Sequence, residues 1–224
     1  KDILMATSFE PASTPCLRCE LHNAITHFAH STFECDMTDP HSIELVHFGS
    51  KRWANYFKVV LLGLQSVLPP EVRQNAHGTI KVLVDGTVPP ESSLSSSAAM
   101  TTCSSIVILT ALKALHVVPR KVIADVACHS ERLVGVHSGG MDQAVSVFGQ
   151  RDKALFVSFA PTLHVSPIEL PLGHQYVFLV TNTMIKSDKK ATAPERYNLR
   201  VVETRLAAAV LKRVLQTKSD IPIQ

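Results

Sequence analysis

The sequence predicts an α+β fold, and three observations carry that prediction. Two short segments near the start, 3–9 and 17–24, alternate apolar with polar residues as half-buried strands do. Longer stretches further on place apolar side chains at helical spacing. The order of these segments is strand pairs followed by helices, without regular strand–helix alternation, which argues against a doubly wound parallel sheet. Hydrophobic residues make up 46% of the 224 residues and charged residues 18%, enough to bury a core in one or two domains and too apolar for a disordered chain.

Each element follows from local chemistry. "KRWANYFKVVLLGLQSV", 51–67, has a helical apolar stripe that Pro69 and Pro70 close. "GTIKVLVDGTVP" gives a strand over about 79–85 running into a turn. From Ser97, "SAAMTTCSSIVILTALKAL" lacks Gly and Pro and is apolar enough to be a buried helix. Pro119 suits the first turn of the next helix, 119–134, because a proline lacks an N–H that would be unsatisfied there. Gly135 ends that helix, and Gly139 and Gly140 precede a short one, "MDQAVSVFG". "ALFVSF" and "YVFLVTNT" read as strands, and "PERYNLRVVETRLAAAVLKRVLQ" as a long amphipathic helix.

Charge and cysteine usage narrow the partners. The net charge of +3 comes from scattered Lys and Arg with no basic stripe, which excludes nucleic acid from the expected partners and leaves a small polyanion welcome. "SIVILTAL" is too short to span a membrane, and "KDILMATSFE" has no signal-peptide character. Five dispersed cysteines, an odd number in a long chain, point to a reducing, cytoplasmic setting. The chain opens in mid-strand and stops after a long helix, so we expect a piece of a larger protein.

The most informative stretch is "TVPPESSLSSSAAM", 87–100. A flexible linker or a single Ser helix cap are its plain readings. Its flanks favour a third: a strand enters, prolines set the turn, and an apolar helix leaves at once. Hydroxyls and free N–H groups of 95–98 then gather at the positive end of a helix, where negative charge is stabilised. One hydroxyl there can also be a hard oxygen ligand for Mg²⁺. A second constellation, "SERLVGVHSGGMDQAVS", brings Glu131 and Asp142 close in sequence. Asp142 follows a Gly pair at a helix start, which keeps its carboxylate ionised and able to accept a proton. A plain first-turn helix stabiliser is the alternative.

These residues carry a resemblance. "TVPPESSLSSSAAM" resembles the phosphate loop of the GHMP small-molecule kinases, and "GVHSGGMDQAVSVFG" resembles the catalytic-aspartate segment of galactokinases within that superfamily. "RWANYF" and "TAPERYNLRVVETRLAA" match the same family, nearest the fungal galactokinases, and the likeness covers essentially the whole chain. The resemblance implies the GHMP kinase fold: a two-layer N-terminal, ATP-binding domain over 1–150, incomplete at its start, and over 151–224 the truncated beginning of a ferredoxin-like C-terminal domain.

It also implies roles. Asp142 would take the proton from the C1 hydroxyl of galactose as that hydroxyl attacks the γ-phosphate of MgATP, giving galactose 1-phosphate. Ser93, Ser95, Ser96 and Ser97 would line the ATP phosphates. Ser97 and Glu131 would hold Mg²⁺, Trp53 would border the adenine, and Ser187 and Lys189 would approach the nucleotide. Ser138, Gly139 and Tyr197 would join Asp142 around the sugar. Trp53 and Tyr197 also sit at helical spacing among apolar neighbours, as core residues would, and Lys189 reads equally as a solvated loop lysine.

Departures from the family pattern bear on activity. Glu91 and Ser93 stand where the family's phosphate loop carries glycine, and a Cβ in a positive-φ conformation costs about 1 kcal/mol or more. Glu91 adds a negative charge beside a polyanion. The family's N-terminal sugar-gripping motif and its C-terminal glycine-rich motif have no counterpart in these 224 residues. A galactose sensor that binds sugar and ATP and contacts a regulatory protein is the competing reading, and N-acetylgalactosamine the competing acceptor. A zinc site from Cys16, Cys19, His22, His27 and His30 in "CLRCELHNAITHFAH" is disfavoured, because strand alternation turns Cys16 and Cys19 to opposite faces.

Overall fold

A computed structural model describes residues 2–169, 179, 181 and 193–214. Strand β1 (Ile3–Pro11) pairs antiparallel with β4 (Gly78–Gly86), which runs parallel to β2 (Leu17–Asn23). β2 in turn pairs antiparallel with β3 (Ser31–Cys35), giving the sheet order β1–β4–β2–β3. Alternation along these strands sends one set of side chains to the core: Leu17, Cys19 and Leu21 from β2, and Ile80, Val82 and Val84 from β4. The opposite face is wet and charged, with Arg18 bridging Glu20 and Glu34, and Lys81 bridging Glu10.

Helices cover the apolar face, making two layers. They are α1 (Asn55–Gln65), α3 (Ser96–Ala111), α4 (Arg120–Leu133) and α5 (Met141–Phe148). α3 lies at the centre, packed against α1, α4, α5 and β1. It is buried nearly all round, as its uninterrupted apolar run predicts. Two of its buried hydroxyls are satisfied within the helix, Thr101 Oγ1 by the Ser97 and Ala98 carbonyls and Ser105 Oγ by the Thr101 carbonyl at 2.9 Å, whereas Thr102 Oγ1 and Ser104 Oγ have no partner among the described residues. Gly63 lets α1 approach α4 closely, since a Cβ there would collide with Ser130 Oγ.

The strands expected at 3–9, 17–24 and 79–85 are present within two residues. The helix expected over 51–67 divides into a 3₁₀ turn (Arg52–Ala54) and α1. Pro70 does more than close it: lacking an N–H, it opens a short helix α2 (Pro70–Gln74). Pro119 is the residue before α4 and not its first turn. β3 went unanticipated. So did β6 (His164–Glu169), which pairs antiparallel with β5 (Lys153–Ser158) and carries Pro167 in mid-strand; among the described residues these two strands are both edges, where a missing N–H is tolerated. The segment expected to be a strand at 176–183 falls outside the described residues apart from 179 and 181. The expected helix over 194–216 begins as a π-helical turn (Ala193–Tyr197) and continues as α6 (Asn198–Val214).

Candidate active site

The serine stretch forms one wall of a cavity of about 320 Å³. Trp53, Ser93, Ser95, Ser96 and Ser97 all line it. Trp53 is a core residue that also lines the cavity. It is 8% exposed within the core, and its indole N–H donates to the Ala29 carbonyl at 2.8 Å, yet one side of the ring faces the cavity. The turn itself is left-handed at three non-glycine residues, with φ of +55° at Glu91, +57° at Ser93 and +58° at Ser95. Glu91 and Ser93 therefore do adopt the conformation for which the family uses glycine, and Glu91 lines the cavity.

Ser95 precedes α3 but its side chain caps nothing. The single-cap reading of the serines is thus not what the structure displays. The first N–H groups of a sixteen-residue helix, with its positive end, are left facing the cavity.

The second constellation assembles around Glu131, whose side chain is buried. Its Oε2 accepts from Ser138 Oγ at 3.2 Å and from Gln143 Nε2. No Lys, Arg or His among the described residues pairs with it. Asp142 occupies the first turn of α5 behind Gly140, whose φ of +90° and close approach to Cys128 Sγ suit only glycine. Asp142 is half-buried and likewise forms no ion pair with a described residue. Tyr197 lies within electrostatic reach of both acids: burial first, then the Asp142 and Glu131 charges, pushes its phenol above the ordinary tyrosine range. Asp142, Glu131, Ser138 and Tyr197, scattered over 67 positions, thus form one cluster.

The turn joining these residues is held from two sides. Arg132 donates to the Ser138 carbonyl at 3.4 Å, and Cys128 Sγ lies 3.8 Å from the same oxygen. From α6, Asn198 accepts from the His137 N–H and donates to the Gly135 carbonyl, both at 3.2 Å. Val136, inside this turn, lines the serine cavity, and α3 packs against α5, so the two constellations are neighbours.

Sequence reasoning named the acids and serines but missed Gln143 and Asn198. Gln143 directly follows Asp142, and Asn198 directly follows Tyr197, so adjacency was the available signal. Ser187 and Lys189 lie outside the described residues. Gly139 lines a different cavity, beyond α4.

Two metal readings differ in fit. Cys19 points from β2 into the core while Cys16, in the bend just before that strand, sits half-exposed beside Glu34, and the His22 and His30 rings pack edge-on with centroids 4.1 Å apart. Among the described residues no three His, Cys, Asp or Glu side chains are grouped to hold a metal ion. Mg²⁺ makes a smaller demand, because it commonly takes one or two protein oxygens and completes its shell with phosphate and water. A buried carboxylate without a described cationic partner, Glu131, and a hydroxyl at the cavity, Ser97, suit that ion. No helix among the described residues is long and apolar enough to cross a membrane.

A helix end on a serine-lined cavity beside a pair of acids is an arrangement suited to binding phosphate and accepting a proton, and the comparisons point to a class of small-molecule kinases as what the chain is similar to. Residues 55–150 match the family model of the GHMP kinases N terminal domain. Within the class its relatives are galactokinases. It is 38% identical to the galactokinase of Candida albicans over 170 residues (76% of this chain, 33% of the relative), and 35% identical to that of Schizosaccharomyces pombe over 169 (72% and 32%). The Saccharomyces cerevisiae galactokinase is 37% identical over 166 residues, 71% of this chain and 31% of the relative. The chain spans about a third of the length of these relatives. In fold it is similar to Lactococcus lactis galactokinase, solved with galactose, at a TM-score of 0.64 and 20% identity over 93% of this chain and 50% of that one.

Proposed function

We propose that the protein to which these residues belong is a galactokinase, transferring the γ-phosphate of ATP to the C1 hydroxyl of galactose. The observation that supports it best is the pairing of the uncapped α3 end on the serine cavity with Asp142, an acid beside Tyr197 in the adjoining turn.

Phosphoryl transfer asks a protein mainly for positioning and charge neutralisation. The nucleotide tail lies along Ser93, Ser95, Ser96 and Ser97, with α3 N–H groups donating to phosphate oxygens and Trp53 beside the base. Ser187 and Lys189 would also approach the nucleotide. Ser138 and Tyr197 seat the sugar so that Asp142 accepts the C1 hydroxyl proton as that oxygen attacks phosphorus, whereas Gly139 faces the cavity beyond α4. Mg²⁺ supplies charge neutralisation at the phosphates, and Ser97 and Glu131 are the residues that would hold it. Gln143 and Ser138 fix the Glu131 carboxylate for that task.

The domain boundary we assign near 150 separates the helix-covered sheet from the segment begun by β5 and β6. Five cysteines, all free, support a reducing cytoplasmic location.

The test is ATP-dependent phosphorylation of galactose by the protein and by its Asp142→Asn variant. General-base removal is expected to lower kcat by about a hundredfold or more while leaving ADP affinity unchanged. Equal turnover by the variant refutes the role of Asp142. Galactose and ATP binding without any turnover would identify a sensor instead. N-acetylgalactosamine as the faster acceptor would reassign the sugar.

A further inference from the structure

A second cavity, of about 520 Å³, lies on the outer side of α4, away from Glu131. Lys121, His129 and Arg132 line it from α4, and Arg205 faces them from α6. Asp125 is its one acid among the described residues. Lys121 to Arg132 covers about 16 Å of helix, so the cations extend the length of the cavity. None of Lys121, Arg132 and Arg205 forms an ion pair with a described carboxylate, although acids elsewhere on the surface do pair. Three permanent positive charges converging on one acid repel one another unless an anion joins them. A cavity of this size with convergent donors is the usual form of a small-ligand site.

We propose that this cavity binds a small phosphorylated molecule, at a site separate from the nucleotide. Arg132 and Arg205 present guanidinium forks suited to phosphate oxygens, Lys121 adds a point charge, and His129 a further donor. Gly139 and Gly140, shortly before Asp142, form part of the remaining wall together with Phe159, Thr162 and Leu163. The occupant therefore rests against the outer side of the turn that delivers the catalytic acid. Neither His129 nor any of the three cations lines the serine cavity.

Calorimetric titration of the protein with inorganic phosphate and with glucose 6-phosphate tests this without reference to kinase activity. Binding is expected for at least one probe, weakened about tenfold in Lys121→Ala/Arg205→Ala, two substitutions of surface side chains. Tighter binding of glucose 6-phosphate assigns an organic phosphate, and equal binding assigns the phosphate group alone. ADP affinity should be the same in the double variant as in the parent. No binding of either probe at millimolar concentration overturns the proposal. Binding that the double substitution leaves intact, or that ADP or galactose displaces, also overturns it. Loss of galactokinase activity in other variants would leave this result standing.

Discussion

Asn198 brackets the turn around His137: its Oδ1 accepts the His137 N–H at 3.2 Å while its Nδ2 donates to the Gly135 carbonyl at the same distance. A residue on α6 thereby fixes the turn that leads to Ser138 and Asp142. Two neutral hydrogen bonds of this kind contribute about 1–2 kcal/mol together. Asn198→Ala should lower stability by that order and raise the galactose KM several-fold, with ADP affinity unchanged. Calorimetric melting and steady-state kinetics check it, and an unaltered KM would show that the bracket does not position the sugar turn.

The left-handed residues of the phosphate turn give a second test. Relief of positive φ at Ser93 is worth about 1–2 kcal/mol, against roughly 0.5–1 kcal/mol of extra backbone entropy for glycine. Ser93→Gly should therefore stabilise the protein slightly, by the order of 0.5 kcal/mol. Glu91→Gly adds the removal of a charge from the cavity, so it should tighten ATP binding several-fold, more at low salt than at high. Titrations of both variants at two ionic strengths separate strain from charge.

Gln143 keeps a buried carboxylate tolerable. Gln143→Leu removes one of two described donors to Glu131 and should cost about 1–3 kcal/mol in chemical denaturation. Glu131→Gln in the same background should recover much of that loss, because a neutral amide is cheaper to bury than a carboxylate. Additive losses in the double variant would contradict the coupling.

Tyr197 makes the cluster visible to pH. Its phenol is raised by burial, then by the Asp142 and Glu131 charges. Below the ordinary tyrosine range, about 10, folded and unfolded chains both hold the proton. Above it the unfolded chain releases the proton first, so stability contributed by the group is lost as pH climbs through the raised folded value. Tyrosinate absorbance should show Tyr197, identified by its loss in Tyr197→Phe, titrating at lower pH in Asp142→Asn than in the parent. An identical titration would place the two side chains too far apart to interact.

Much of this was legible in the sequence because it is local. The helix start, expected at Ser97 and found at Ser96, the stop before Gly135 and the short helix after Gly139 and Gly140 follow from nearby residues. The positive φ at Glu91 and Ser93 was readable from the family's glycines. Less visible were contacts between distant segments. Nothing near Asn198 in sequence announces Gly135 or His137, and Arg205 gives no sign of facing Lys121. β3 was missed although Ser31, Phe33 and Cys35 alternate inward, because five residues between turns give a short pattern. β6 was missed because Pro167 argues against a strand that has no central position to disrupt.

By itself, then, the chain determined where helices begin, which face of each strand is apolar, and which residues have the chemistry for phosphate and proton transfer. Only the tertiary structure decided that Tyr197 comes within electrostatic reach of Asp142, that Glu131 is gripped by Gln143, and that Lys121, Arg132 and Arg205 line one cavity. The physical reason is range: backbone sterics and hydrogen bonding act within a few residues of sequence, whereas burial and charge act through space and depend on how the layers close.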